Sequence, residues 1–222
     1  MSINKINFND LEIVHVRNKA LKNSYISVKK NGLITLKTSN VSNDYIQNLL
    51  TKKELWIRKQ LEIVEKNPPL RVNIQDEVLL FGEIFSIDID EAKELRNYLK
   101  KIDISNIDNI SKCYDKFYKI YAKNYLIPRV EHYSRIMELD FSEIKFRKMR
   151  SRWGSCSSKG VITLNSELIK IDKRLIDFIV VHELAHLVHM NHSKRFHSLV
   201  ERYMPNAKAL NQELKGVAHY LL

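Results

Sequence analysis

Little in this chain of 222 residues could staple, anchor or export it. It has two cysteines, Cys113 and Cys156, far apart in sequence. That argues against a disulfide framework and for a reducing, cytoplasmic setting. No apolar run is long enough to cross a bilayer as a helix. The opening residues, MSINKINFND, hold no apolar stretch of the kind a signal peptide needs. There is no internal repeat and no low-complexity tract. Acidic residues are the scarcer charge, 26 Asp and Glu against 37 Lys and Arg, for a net charge of +11. Such an excess admits a nucleic acid or acidic surface as partner. The basic residues are mostly scattered, however, and a chain rich in Lys, Asn and Ile acquires this balance from composition alone. With 44% hydrophobic and 28% charged residues, the chain is globular and long enough for a sizeable core.

What is present is concentrated between Phe178 and Phe196, in FIVVHELAHLVHMNHSKRF. His182-Glu183-Leu184-Ala185-His186 is an H-E-x-x-H motif. On a helix, residues four apart share a face, so His182 and His186 can reach one metal ion. Two imidazoles suit Zn²⁺, which in catalytic sites takes three protein ligands and keeps a fourth position for water. Glu183 then stands beside that water as general base. The surrounding residues, Leu175 to Val188, are apolar almost all round, so the helix is expected to be buried, with Asp172 as its N-cap. Buried His and Glu must be paired or metal-bound.

The third ligand has two candidates. His189 shares the face of His182 but sits about 10 Å further along the axis, too far to close one tetrahedral site. His192 is ten residues after His182 and needs the helix to end first. A turn at Met190-Asn191, with Asn191 in the left-handed conformation, would return it over the metal, and Ser193 would cap the next helix. Glu201, from that next helix, is the alternative.

The rest of the chain reads as follows. Residues 11 to 38 form short strands, with Asn31-Gly32 marking a hairpin between 25–28 and 33–36. Ser42 caps a helix bearing Ile46, Leu49, Leu50, Ile57, Leu61 and Val64, and Asn67-Pro68-Pro69 ends it. A second hairpin turns at Gly82-Glu83. Residues 90 to 108 read as a polar linker. Ile110, Cys113, Tyr114, Phe117, Tyr121 and Tyr125 recur at helical spacing, and Pro128 kinks that helix or starts another. Residues 144 to 150 alternate like a strand, Ser157 to Gly160 turn, and 161–165 return. Lys145, Arg147, Lys148, Arg150 and Arg152 make the densest basic cluster, either a phosphate-binding patch or the solvated face of a half-buried strand. Cys156 lacks a C-x-x-C partner and reads as inert.

H-E-L-A-H-L-x-H-x-N-H-S-x-x-F, preceded by Arg152-Trp153-Gly154-Ser155-Cys156 and by Leu164-Asn165, resembles the YgjP-like metallopeptidase family, a zincin group related in pattern to SprT-like proteins. The resemblance covers about residues 110 to 215. It implies one Zn²⁺ per chain, ligands at His182, His186 and His192, a catalytic Glu183 and a peptide substrate. It also implies that the strand before the motif lies beside the metal cleft, where an extended peptide could add to its edge, with Arg152, Trp153, Gly154 and Ser155 as substrate-binding residues. The family usually has Trp where this chain has His197. Candidates to stabilise the tetrahedral oxyanion are Tyr203, His197, His219 and Tyr220. The expected architecture is α+β: a β-rich region with one long helix over 1–105, then a zincin-like metallopeptidase region over 106–222. Two other classes remain open, a nucleic-acid-associated SprT-like protease and a zinc-binding module without catalysis.

Overall fold

The computed structural model describes residues 2–29, 31–66 and 72–221, with the side chains of 218–220 excepted. Asn67-Pro68-Pro69, the expected helix end, lies outside the described residues, as do the side chains of His219 and Tyr220. The chain is α+β and divides into two compact units, residues 1–70 with 216–221, and residues 71–215 with 222.

In the first unit, β1 (Ser2–Phe8) and β2 (Leu11–Arg17) form an antiparallel pair. β3 (Tyr25–Val28) and β4 (Ile34–Thr38) form the hairpin expected at Asn31-Gly32, where Gly32 takes φ +80°. β4 then pairs parallel with β2, giving the order β1-β2-β4-β3. Alternation along β2 buries Leu11 and Ile13 on one face. α1 (Asn43–Lys66) starts at Ser42, whose hydroxyl accepts from Tyr45 N–H at 3.2 Å. Ile46, Leu50 and Ile57 of α1 join Ile13, Ile34 and Leu36 in one apolar core. Strand β1 has no counterpart in the sequence reading, because Asn and Lys interrupt its apolar positions.

The second unit carries the metal motif. β5 (Glu77–Leu80) and β6 (Glu83–Ser86) form a hairpin whose turn is Phe81-Gly82, one residue before the expected place. Both turn residues have positive φ, +53° and +89°. The reason is docking: Phe81 N–H donates to Ile169 O (2.8 Å) and Gly82 N–H to Lys170 O (3.0 Å). The expected linker instead holds α2 (Lys93–Leu99), with Leu95 and Leu99 buried. α3 (Ile107–Met137) runs unbroken through Pro128, starting at Asn106, whose side chain accepts from the N–H groups of Asp108 and Asn109. It buries Ile110, Phe117, Ala122, Leu126 and Val130. Its Arg129 grips Asp177 of α4 (Lys173–Ala185) through two bonds, 2.8 and 2.7 Å.

β7 (Glu143–Arg147), β8 (Gly154–Cys156) and β9 (Val161–Asn165) form a three-stranded sheet of order β7-β9-β8. The turn at 157–160 joins β8 to β9, while β7 pairs parallel with β9. The hairpin partner of β9 is therefore the short strand at Gly154–Cys156, and the basic residues after Arg147 lie in a connecting loop. α5 (Lys194–Tyr203) and α6 (Ala207–Leu221) complete the chain.

Candidate metal centre

α4 is the element that sets the site. Asp172 caps it, its carboxylate accepting from Arg174 N–H at 2.7 Å. Leu175, Ile176, Ile179, Val180 and Val181 are all buried, so the helix is fixed within the unit. It ends earlier than the spacing suggested. Its last residue is Ala185, and His186 is the C-cap. Residues 186–188 form a turn, with Leu187 N–H donating to Leu184 O and Val188 N–H to Ala185 O. The release comes before Met190-Asn191, so Asn191 needs no left-handed backbone and does not have it. Ser193 caps α5 as expected, accepting from Phe196 N–H at 3.3 Å.

This path brings three imidazoles together. One ligating atom from each of His182, His186 and His192 lies within 4.8 Å of the others. The Nε2 atoms of His182 and His192 are 3.1 Å apart. Phe196 of α5 braces the group from beneath, its ring stacked on His186 at 4.6 Å. His186 Nδ1 donates to the carbonyl of His189 at 3.0 Å. A carbonyl can only accept, so neutral His186 carries its proton on Nδ1 and keeps the Nε2 lone pair. His189 thus contributes through its backbone, a role the motif spacing did not disclose.

The electrostatics match a cation site. Burial, and then the neighbouring histidines, lower the pKa of His182 to about 4, so its imidazole is neutral and can donate a lone pair. Burial likewise lowers that of His186, opposed by its bond to His189. Burial pushes Glu183 up to about 8, with the Arg152 guanidinium pulling the other way. Glu183 is 6% exposed and its Oε2 has no hydrogen-bond partner among the described residues. A buried carboxylate oxygen without a partner is costly unless a ligand or water meets it. Tetrahedral zinc, with Zn–N distances of about 2.0–2.1 Å, holds its nitrogens roughly 3.4 Å apart. Three imidazoles converging at that scale, beside an unsatisfied carboxylate, fit such an ion.

Of the four residues Arg152 to Ser155, Gly154 lies against Glu183. A Cβ built on Gly154 would stand 2.5 Å from Glu183 Oε1 and 2.7 Å from its Cγ. Gly154 is glycine because the glutamate fills the place of a side chain. Trp153 is buried, Arg152 is exposed, and Ser155 is half-buried on β8, an edge of the sheet. Asn165 ties this stretch down. Fully buried, it donates through Nδ2 to Met149 O (2.9 Å) and Arg152 O (3.0 Å). Its Oδ1 accepts from Met149 N–H (3.2 Å) and Glu167 N–H (3.1 Å), and its own N–H donates to Trp153 O (2.8 Å). The sequence showed Asn165 within the motif but not this task. Only a buried Asn at a strand end, with both amide ends in need of partners, could have signalled it.

Other sequence candidates separate. His197 stands near the triad, its ring 6.2 Å from that of His192. Glu201 lines the same cleft as His182 and His192 but is not grouped with the converging donors. Cys156 is half-buried, and burial, with Glu183 adding to it, raises its pKa. No described helix is long and apolar enough to cross a membrane.

Among solved structures, the metallopeptidase zymogen of Pyrococcus abyssi abylysin is similar over 39% of this chain and 89% of its own, at 27% identity and a TM-score of 0.37. Among curated proteins, none matches. The family described as "YgjP-like, metallopeptidase domain" matches residues 22–216, nearly the whole length, and the chain therefore belongs to the YgjP-like metallopeptidases.

Proposed function

We propose that the chain is a zinc-dependent peptidase in which His182, His186 and His192 hold one ion and Glu183 is the general base. The observation that carries this reading is the convergence of three imidazoles beside a buried carboxylate whose Oε2 has no partner among the described residues. The described cluster supplies three donors, which suits an open catalytic site better than a closed structural one of four. When bound, Zn²⁺ would supply the Lewis acidity that polarises a scissile carbonyl and lowers the pKa of a water.

The chain's own residues do the rest. Glu183 takes the proton of the attacking water and hands it to the leaving nitrogen. Gly154 lets that carboxylate occupy its place on α4 without displacement. The His186–His189 bond fixes the ring that must present Nε2. β8 is a sheet edge and its Gly154 lies against Glu183, a place that suits an extended peptide, with Arg152 to Ser155 along its course. Among the candidates whose side chains are described, His197 lies by the triad and is our choice to stabilise the oxyanion.

The test is metal content by elemental analysis, with cleavage of a mixed peptide pool, on wild type and Glu183→Gln. The expected result is about one zinc in each, with cleavage by wild type alone. Zinc in both and cleavage by neither would move the chain to the non-catalytic zinc modules. Absence of zinc from both would remove the triad from the argument.

A further inference from the structure

Beside the triad lies a cleft of about 500 Å³, with His182 and His192 on one wall. Its buried floor is apolar and comes from three helices: Phe178 of α4, Val200 of α5 and Ala207 of α6. Its rim is polar, with exposed His197 and Asn211 and two exposed residues of opposite sign, Glu201 and Lys208. Neither has an ion-pair partner among the described residues. The volume falls in the range of small-molecule sites.

We infer that this cleft is the subsite for a bulky apolar side chain of the substrate, at a residue flanking the bond to be cut. The inference rests on the peptidase reading and adds to it a class of substrate: segments that expose Leu, Phe or similar residues. Three arguments lead there. The buried floor is carbon, and the cleft's hydrogen-bonding groups stand at the rim and against the triad, so a polar side chain seated on the floor would be stranded. The rim charges oppose one another, so neither sign of substrate side chain is favoured. The position of the cleft, against two of the three imidazoles, places whatever fills it next to the reacting bond.

Ala207 sets the depth. Any larger residue in that first turn of α6 would occupy the floor. Val200, also on the floor, has a stiff β-branched side chain and cannot swing away to compensate. Sequence reading had no access to this. Phe178, Val200 and Ala207 are spread over thirty residues, and each alone reads as ordinary core.

The test uses the full metal-free chain with methyl groups labelled for NMR, titrated with the N-acetyl amides of Phe, Leu, Ala, Asp and Lys. The Phe and Leu amides should shift the Val200 and Ala207 methyls and bind at least about tenfold more tightly than the Ala and Asp amides, the scale on which apolar pockets discriminate. Ala207→Leu should weaken the Phe amide by a similar factor. Should that variant misfold, the wild-type series decides alone. Equal affinities for all five amides, or shifts confined to other methyls, would overturn the assignment. Because no cleavage is measured, failure here is distinguishable from failure in the Glu183→Gln assay: the peptidase reading can stand while the subsite falls.

Discussion

At the scale of single residues, the site is a set of groups held in states that water would not choose. Glu183 is protonated over a range where a free glutamate is charged, because burial penalises its anion. Its pKa is raised from 4.5 to about 8, so the metal-free fold is favoured at low pH and loses that advantage as pH rises. The histidines oppose this only at lower pH: His182, lowered from 6.5 to about 4, adds stability as pH rises to 6.5 and nothing above it. Between pH 6.5 and 8 the metal-free protein should therefore lose about 2 kcal/mol, and Glu183→Gln should flatten that slope. Chemical denaturation at a series of pH values checks it; an unchanged slope in the variant would remove Glu183 as the cause. Gly154→Ala tests the same carboxylate by sterics. With its new Cβ 2.5 Å from Glu183 Oε1, the side chain must move. Zinc content should persist while kcat falls at least about tenfold, since a displaced base loses much of its contribution. Equal activity would mean that the glutamate tolerates displacement. The histidine pair and Glu183 were legible because helical periodicity places them from spacing alone. Gly154 was expected among the substrate-binding residues; its close approach to Glu183, 29 residues further along the chain, is invisible to any local pattern.

At the scale of elements, what holds the site is the loop before β8 and the ends of the helices. Asn165 supplies four side-chain hydrogen bonds from a fully buried position. Asn165→Ala leaves Met149, Arg152 and Glu167 backbone groups without those partners. It should cost about 2–4 kcal/mol, read from urea midpoints, and free the 149–153 stretch to proteolysis. A loss under about 0.5 kcal/mol would mean that water replaces the amide fully. Helix ends make an opposite prediction. α3 closes on Glu138 with φ +55°, exposed and left-handed. A non-glycine residue is strained there, and Gly costs more entropy on folding, so Glu138→Gly should gain about 0.5–1 kcal/mol net. A loss of stability would place a compensating contact on the Glu138 side chain. Periodicity gave the long helices, because their buried stripes repeat, and missed the seven-residue α2, too short to show one. It could not pair β7 with β9 in parallel, since hairpin logic assumes that neighbours in sequence are neighbours in the sheet. Nor could it end α4 at Ala185, where the turn is made by backbone bonds that no residue type announces.

At the scale of the whole chain, two cores make a metal-binding event local. The first unit has its own buried cluster, Ile13, Leu36, Leu50 and Ile57 among it, and the metal motif belongs wholly to the second. An ion that binds the folded state stabilises by about 2.7 kcal/mol at a hundred times its Kd. That free energy appears where the ligands are. α4 carries His182 and delivers His186, and the turn that follows carries His192 to the start of α5. Zinc should therefore slow amide exchange in α4, the 186–193 turn and the first turn of α5, while β1 to β4 and α1 exchange as before. His192→Ala should abolish the effect, because two imidazoles without the third leave the ion weakly held. Hydrogen exchange read by mass spectrometry separates the alternatives at peptide level. Protection that rises equally in residues 2–66 would mean that the two cores unfold as one and that the metal stabilises the chain as a single cooperative body.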